Sequence, residues 1–139
     1  MCKKRTLADI NNNPLNIRYN PANRWQGQTG ENKGFCVFKS KAYGFRASYR
    51  LLVNYLKNGH DTIEKIVGRF APSHENNTEN YIRFVEDDCI IDRKQILGYE
   101  SIHDYWTLIM ILRAMARMES GIFYDEQQIN LFINYPERY

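Results

Sequence analysis

The chain has 139 residues, of which 43% are hydrophobic and 25% charged, with 19 basic side chains against 16 acidic ones. That is the size and composition of one globular domain, able to bury roughly two-thirds of its unfolded surface without disulfides or a structural metal, and it excludes a largely disordered chain. The formal charge of +3 is spread along the sequence and no apolar run reaches bilayer-spanning length, so neither a strongly basic nucleic-acid binder nor a membrane protein is expected.

Lys3-Lys4-Arg5 is the single dense basic cluster, and no apolar export segment follows it. Cys2, Cys36 and Cys89 are odd in number, form no CxxC pair and stand apart from His60, His74 and His103. This argues against a disulfide framework, a zinc site or any other cofactor. The expectation is a protein made in the cytoplasm with reduced thiols, its final location open.

Residues 1–40 are punctuated by Asn11-Asn12-Asn13-Pro14, Asn20-Pro21, Gly27, Gly30 and Gly34. Between these lie Asn16-Ile17-Arg18-Tyr19 and Phe35-Cys36-Val37-Phe38, which predict loops and a short β-ribbon. From about Lys41 the period changes. Phe45, Tyr49, Leu52 and Leu56 recur at helical spacing up to Gly59, a residue suited to a left-handed C-cap. Asp61 with Glu64 predicts the start of a short second helix that carries Ile63, Ile66, Val67 and Phe70 and stops at Pro72.

After the turn at Pro72-Ser73-His74-Glu75-Asn76, Asn77 or Thr78 caps a third helix burying Tyr81, Phe84 and Val85. Asp92-Arg93-Lys94 reads as exposed loop. The longest helix begins at Ser101, with Asp104 completing a capping box, and runs on Ile102, Tyr105, Ile109, Leu112 and Ala116 to Gly121. A last amphipathic piece starts near Asp125 and uses Ile129, Phe132 and Ile133 before Pro136. The predicted architecture is one domain over 1–139, mainly α (α+β). About five helices make the body at 41–139, and an Asn/Gly-rich ribbon and loops at 1–40 lie against it.

Several uncommon residue types fall at definite spacing: Asn13-Pro14-x-Asn16-Ile17-Arg18, Trp25-x-Gly27, Gly34-Phe35-x-x-Phe38, Gly44-x-Arg46-Ala47, Thr62-Ile63 and Arg69-x-Ala71-Pro72-x-x-Glu75-Asn76-Asn77-Thr78-x-x-Tyr81-Ile82. Together with Arg113-Ala114-Met115 and Glu119-Ser120-Gly121, this string resembles a family of small phage and prophage virion structural proteins. Those proteins carry NPGNIR, WxG, GFxxF, GxRA and RWAPPxENxTxxYI segments. Leu15 departs from the family's Gly, which frees the first turn from a positive φ, and Phe70 departs from its Trp.

That family is distantly similar to lysozyme-like peptidoglycan hydrolases. Their cleft is built from an NNxxxIK/R segment, a WxG-like turn and a helix after F-x-x-F, and their acid is a Glu ending a helix, often in Glu-Ser-Gly. Here only ten residues precede Asn11, too few for that helix, while Glu119-Ser120-Gly121 lies near the C-terminus. The resemblance therefore implies either a permuted lysozyme-like fold or a chance Glu-Ser-Gly.

Glycosidic cleavage needs a carboxylic acid that keeps its proton near neutrality, which burial against apolar groups provides. Glu119 closes the most apolar helix, where the helix dipole also disfavours an anion; the plain alternative is an exposed last-turn residue before a glycine cap. Glu75 is the leading candidate for a second carboxylate, with Asp61 and Glu31 behind it. Similarity to lytic transglycosylases implies that one Glu suffices, and Glu75 with Asn76, Asn77 and Thr78 reads first as a loop and helix cap.

Tyr19, Trp25 and Tyr43, near Asn16 and Arg18, offer ring faces and polar donors to a glycan, although ring count alone does not separate such a role from the core rim. Arg18 and Arg46 also suit bracing the ribbon against the first helix. The expected function is that of a phage-type lysozyme-like protein that engages bacterial peptidoglycan or another glycan, and cleaves its strands with Glu119. The rival is a non-enzymatic virion or mobile-element structural protein with the same fold and virion proteins as partners. Nucleic-acid packaging is a third, weaker class.

Overall fold

The structure, a computed structural model, describes residues 4–72 and 77–139. In chain order the elements are α1 (Leu7–Ile10), β1 (Gln28–Asn32), β2 (Phe35–Phe38), α2 (Lys41–Lys57), α3 (Ile63–Phe70), α4 (Thr78–Cys89), α5 (Ile102–Ser120), α6 (Glu126–Asn134) and a closing 3-10 turn at Pro136–Arg138. The chain is mainly α with a small antiparallel ribbon. α1 adds a single turn to the five helices that periodicity announces, too short to leave a periodic signature.

α5 forms the centre. Ser101 accepts the backbone N–H of Asp104 while Asp104 accepts that of Ser101, and Gly121 at φ 75° closes the far end. Leu108, Ile109, Ile111, Leu112 and Met115 are fully buried on this helix, each contributing about 1.5–3 kcal/mol by leaving water. α2 and α6 cover one side, where the Phe45 ring meets Tyr124 edge-on at 4.7 Å and stacks on Phe132 at 5.7 Å. α3 and α4 pack together and α4 lies on α5. Arg113 fastens α5 to both neighbours through Asp88 and Glu126, at 3.0 Å each.

α3 starts one residue later than the sequence suggested. Thr62, not Asp61, accepts the N–H three residues on, because Asp61 is held by its own carbonyl, which accepts the Leu97 N–H at 2.8 Å. Asn77 caps α4, and the Thr78 hydroxyl donates to Ala71 at 2.6 Å. Asp125 caps α6 as expected.

The three consecutive asparagines fasten the N-terminal arm to the ribbon. Asn13, at 0% exposure, accepts the Ile17 N–H at 2.9 Å and donates to Ile17 at 3.1 Å and Cys36 at 3.0 Å, closing the 13–17 loop onto β2. Asn12 donates to Phe38 at 3.1 Å, and Asn11 accepts from Asn32 at 2.9 Å. The ribbon itself turns at Lys33-Gly34, both with positive φ, the pair a two-residue hairpin requires. The stretch Asn16–Tyr19 is not a full strand: it reaches the ribbon through one isolated bridge, Arg18 to Phe35.

Leu15 keeps a negative φ and is buried in the core; the left-handed positions of this loop are Asn12 and Asn16, a residue type that tolerates them. Among the described residues no helix is long and apolar enough to cross a membrane, and no three His, Cys, Asp or Glu side chains converge as a metal site would need.

Candidate functional site

Two parts of the chain about a hundred residues apart meet at the end of α5. The Thr6 hydroxyl donates to the Ser120 carbonyl at 2.9 Å, drawing the N-terminal arm onto the helix terminus. Asn16, folded back by its φ of 52°, then brings its amide to Glu119, donating to the carboxylate Oε1 at 3.2 Å and to the backbone carbonyl at 3.5 Å. Tyr81 of α4, 3% exposed, stands next to the same carboxylate, its hydroxyl donating to the Met115 carbonyl at 3.5 Å.

Glu119 is half-buried and held by Asn16, not an open last-turn residue. Burial pushes its carboxyl above the ordinary glutamate value, and this outweighs the opposing pull of the Asn16 hydrogen bond, the nearby Tyr81 hydroxyl and the Arg18 charge. Burial likewise raises the Tyr81 hydroxyl well above its ordinary value, with the neighbouring carboxylate adding to it, so tyrosine remains a neutral donor. The result is an acid that holds its proton to a higher pH than an exposed glutamate, beside the Asn16 amide that fixes its orientation.

This carboxyl opens into a groove of about 490 Å³. One wall is the arm, from Asn16 to Tyr19, with Asn20, Pro21 and Asn23 beyond it. The other is made by Leu51 and Tyr55 of α2 and by Arg69 and Phe70 at the end of α3; Trp25 and Phe35 complete the lining. The Arg18 guanidinium lies 5.4 Å from the Phe35 ring centre, and that of Arg69 5.7 Å from Tyr55. Among the described residues Glu119 is the one acidic side chain that lines the groove. Aromatic faces, amides and guanidinium groups around a single sheltered acid suit a polar, ring-containing ligand.

Of the residues singled out in the sequence, Glu119, Asn16, Arg18, Tyr19 and Trp25 come together in this groove. Tyr43 does not join them. It is 6% exposed, wedged where Gly27 has no Cβ and covered by the Lys39 ammonium at 4.6 Å from its ring, so it packs in the core instead of facing a ligand. Glu75 and His74 lie outside the described residues. Glu31 lies on β1 next to the hairpin turn, accepting the Gly34 N–H at 2.6 Å, and Asp61 pairs with Lys65 at 3.5 Å; neither lines the groove.

In the sequence Tyr81 and Phe70 read as helix positions, Arg69 belongs only to the resemblance, and nothing singles out Tyr55. Arg69, Phe70 and Tyr81 nevertheless fall within or beside the Arg69–Ile82 string of uncommon spacing, the one sequence signal that separates them from ordinary core.

Comparison with known proteins gives the following. No family model matches the chain. It is 40% identical over 124 residues to Protein P5 of Pseudoalteromonas phage PM2, an alignment that covers 84% of this chain and 74% of the phage protein. Identity at that level over most of both chains is kinship, and this chain belongs to the phage protein family that includes Protein P5 of phage PM2.

Proposed function

We propose that this phage-family protein is lysozyme-like in action: it engages peptidoglycan and cleaves its glycan strands with Glu119 as general acid and then general base. The observation that carries the reading is the placement of Glu119. Its carboxyl ends a buried helix, is raised in pKa by burial, is oriented by Asn16, and faces an aromatic-lined groove.

In this reaction protonated Glu119 passes its proton to the glycosidic oxygen as the bond from that oxygen to C1 breaks. The resulting carboxylate then takes a proton from the hydroxyl that attacks C1, which restores the acid. That hydroxyl belongs either to water or to the sugar itself. Asn16 keeps its hydrogen bond to the carboxylate through both steps, so the group moves little while its charge changes.

Purified protein incubated with isolated sacculi should release soluble sugar fragments, and Glu119→Gln should lower the rate at least about a hundredfold, the effect of removing a positioned acid. Kinship with a phage protein also carries the rival reading, a non-enzymatic component of a phage particle on this fold. Wild-type protein that is folded and releases nothing from sacculi would remove the enzymatic reading and leave that one.

A further inference from the structure

The groove beside Glu119 does not end at Trp25. It opens into a second depression of about 430 Å³, bounded by the rings of Trp25 and Tyr55 and by Asn23, Asn54, Asn58 and Arg69, and among the described residues no carboxylate lines it. Arg69 borders both spaces, exposed at the last turn of α3 with its guanidinium over Tyr55, whose ring is held on its other contact by His60 at 5.9 Å. Asn58 is braced by donating to the Asn54 carbonyl at 2.7 Å, which fixes the amide-bearing edge of the depression.

Sugar hydroxyls do not require a guanidinium, whereas a carboxylate is bound by one through charge-assisted, paired hydrogen bonds. Amide side chains match peptide groups, and the volume is that of a site for a short peptide-sized ligand. We infer that this side depression seats the peptide substituent of the glycan, with Arg69 binding a peptide carboxylate, so that the protein acts on peptide-bearing strands in preference to bare ones. The inference rests on the glycan-cleaving reading of the Glu119 groove and adds its substrate selectivity.

The test uses short peptidoglycan glycan strands carrying their peptides, and the same strands after an amidase has removed them. Wild-type protein should show a kcat/KM about tenfold higher on the peptide-bearing strands, the size of one charge-assisted contact. Arg69→Ala should bring that ratio close to one, Arg69→Lys should keep part of it, and raised salt should compress it. Asn54→Asp, on the exposed face of α2, should lower the ratio independently by setting a negative charge in the same depression, with thermal melts confirming that each variant is folded.

Equal wild-type rates on the two substrates, or a ratio untouched in Arg69→Ala, would overturn the inference. Calorimetric titration of Glu119→Gln protein with both strands reads binding without turnover. If wild type cleaves neither strand yet binding favours the peptide-bearing one and is lost in Arg69→Ala, the cleavage reading fails and the peptide site stands. Equal binding of both strands, or of neither, removes the peptide site.

Discussion

Gly44 is the point where α2 crosses the asparagine arm, and Gly44→Ala tests whether that crossing supports the site. A Cβ built there overlaps the Asn12 carbonyl oxygen and lies 2.7 Å from Pro14 Cδ. Ordinary carbon contacts begin at about 3.5 Å, so helix and arm must separate by about 1 Å. Both obstacles are backbone or ring atoms, which cannot swing aside as a long side chain would. Overpacking of this kind costs about 1–3 kcal/mol, and loosening the Asn12 and Asn13 hydrogen bonds adds about 1 kcal/mol for each bond weakened.

The better helix propensity of alanine returns about 1 kcal/mol, leaving a net loss of about 2–3 kcal/mol, or a fall in Tm of roughly 6–12 °C for a chain of this size. Thermal denaturation followed by circular dichroism measures it. Because the same arm carries Asn16 to Glu119, sugar release should fall in the same variant at temperatures where it is still folded. An alanine variant that melts at or above the wild-type temperature would refute the crossing as described.

Other changes give outcomes of definite sign. Glu119→Gln should raise stability at neutral pH: the folded-state pKa is raised, so the native state pays for a buried anion above that pKa. The difference from wild type in urea denaturation should shrink as pH falls through this window, and vanish once glutamate is protonated in both folded and unfolded chains. Asn13→Ala removes three hydrogen bonds at a fully buried site and should cost about 3 kcal/mol, read by the urea midpoint at unchanged slope. Ile90, 91% exposed, ends α4 with a φ of 54°, a left-handed conformation that a β-branched residue resists. Ile90→Gly should therefore stabilise the protein by about 1 kcal/mol, and an unchanged or lower Tm would contradict that strain.

Much of the helical body is legible in the sequence because its signals are local. Ser101 with Asp104, Gly121, Gly59 and Asp125 act on backbone groups within one turn, and the structure uses each of them where spacing places it. Glu119 was legible for a similar reason, since it ends the most apolar helix. The displaced start of α3 shows where local reading fails: Asp61 and Thr62 are both suitable caps, and a distant contact from Leu97 decides between them.

The groove was only half legible. Asn16, Arg18, Tyr19 and Trp25 belong to an irregular arm whose polar and aromatic residues have no core role to suggest, so they stood out. Arg69, Tyr55 and Tyr81 sit on helices, where a regular period gives no reason to single them out, and only the packing of α2, α3 and α4 around the end of α5 brings them near the acid. Tyr43 errs in the other direction. Its place near the arm in sequence suggested a surface ring, while the missing side chain of Gly27 admits it to the core.

The central proposition is that Glu119 is a sheltered acid whose proton drives bond cleavage. Carbon-13 NMR of the labelled carboxylates, followed against pH beside the rate of sugar release, tests it most directly. Glu119 should titrate above the exposed glutamates, the alkaline fall of the rate should share its midpoint, and Asn16→Ala should move both upward together by removing a donor to the anion. A Glu119 midpoint at or below those of the exposed glutamates, or a rate that falls at an unrelated pH, would contradict the account.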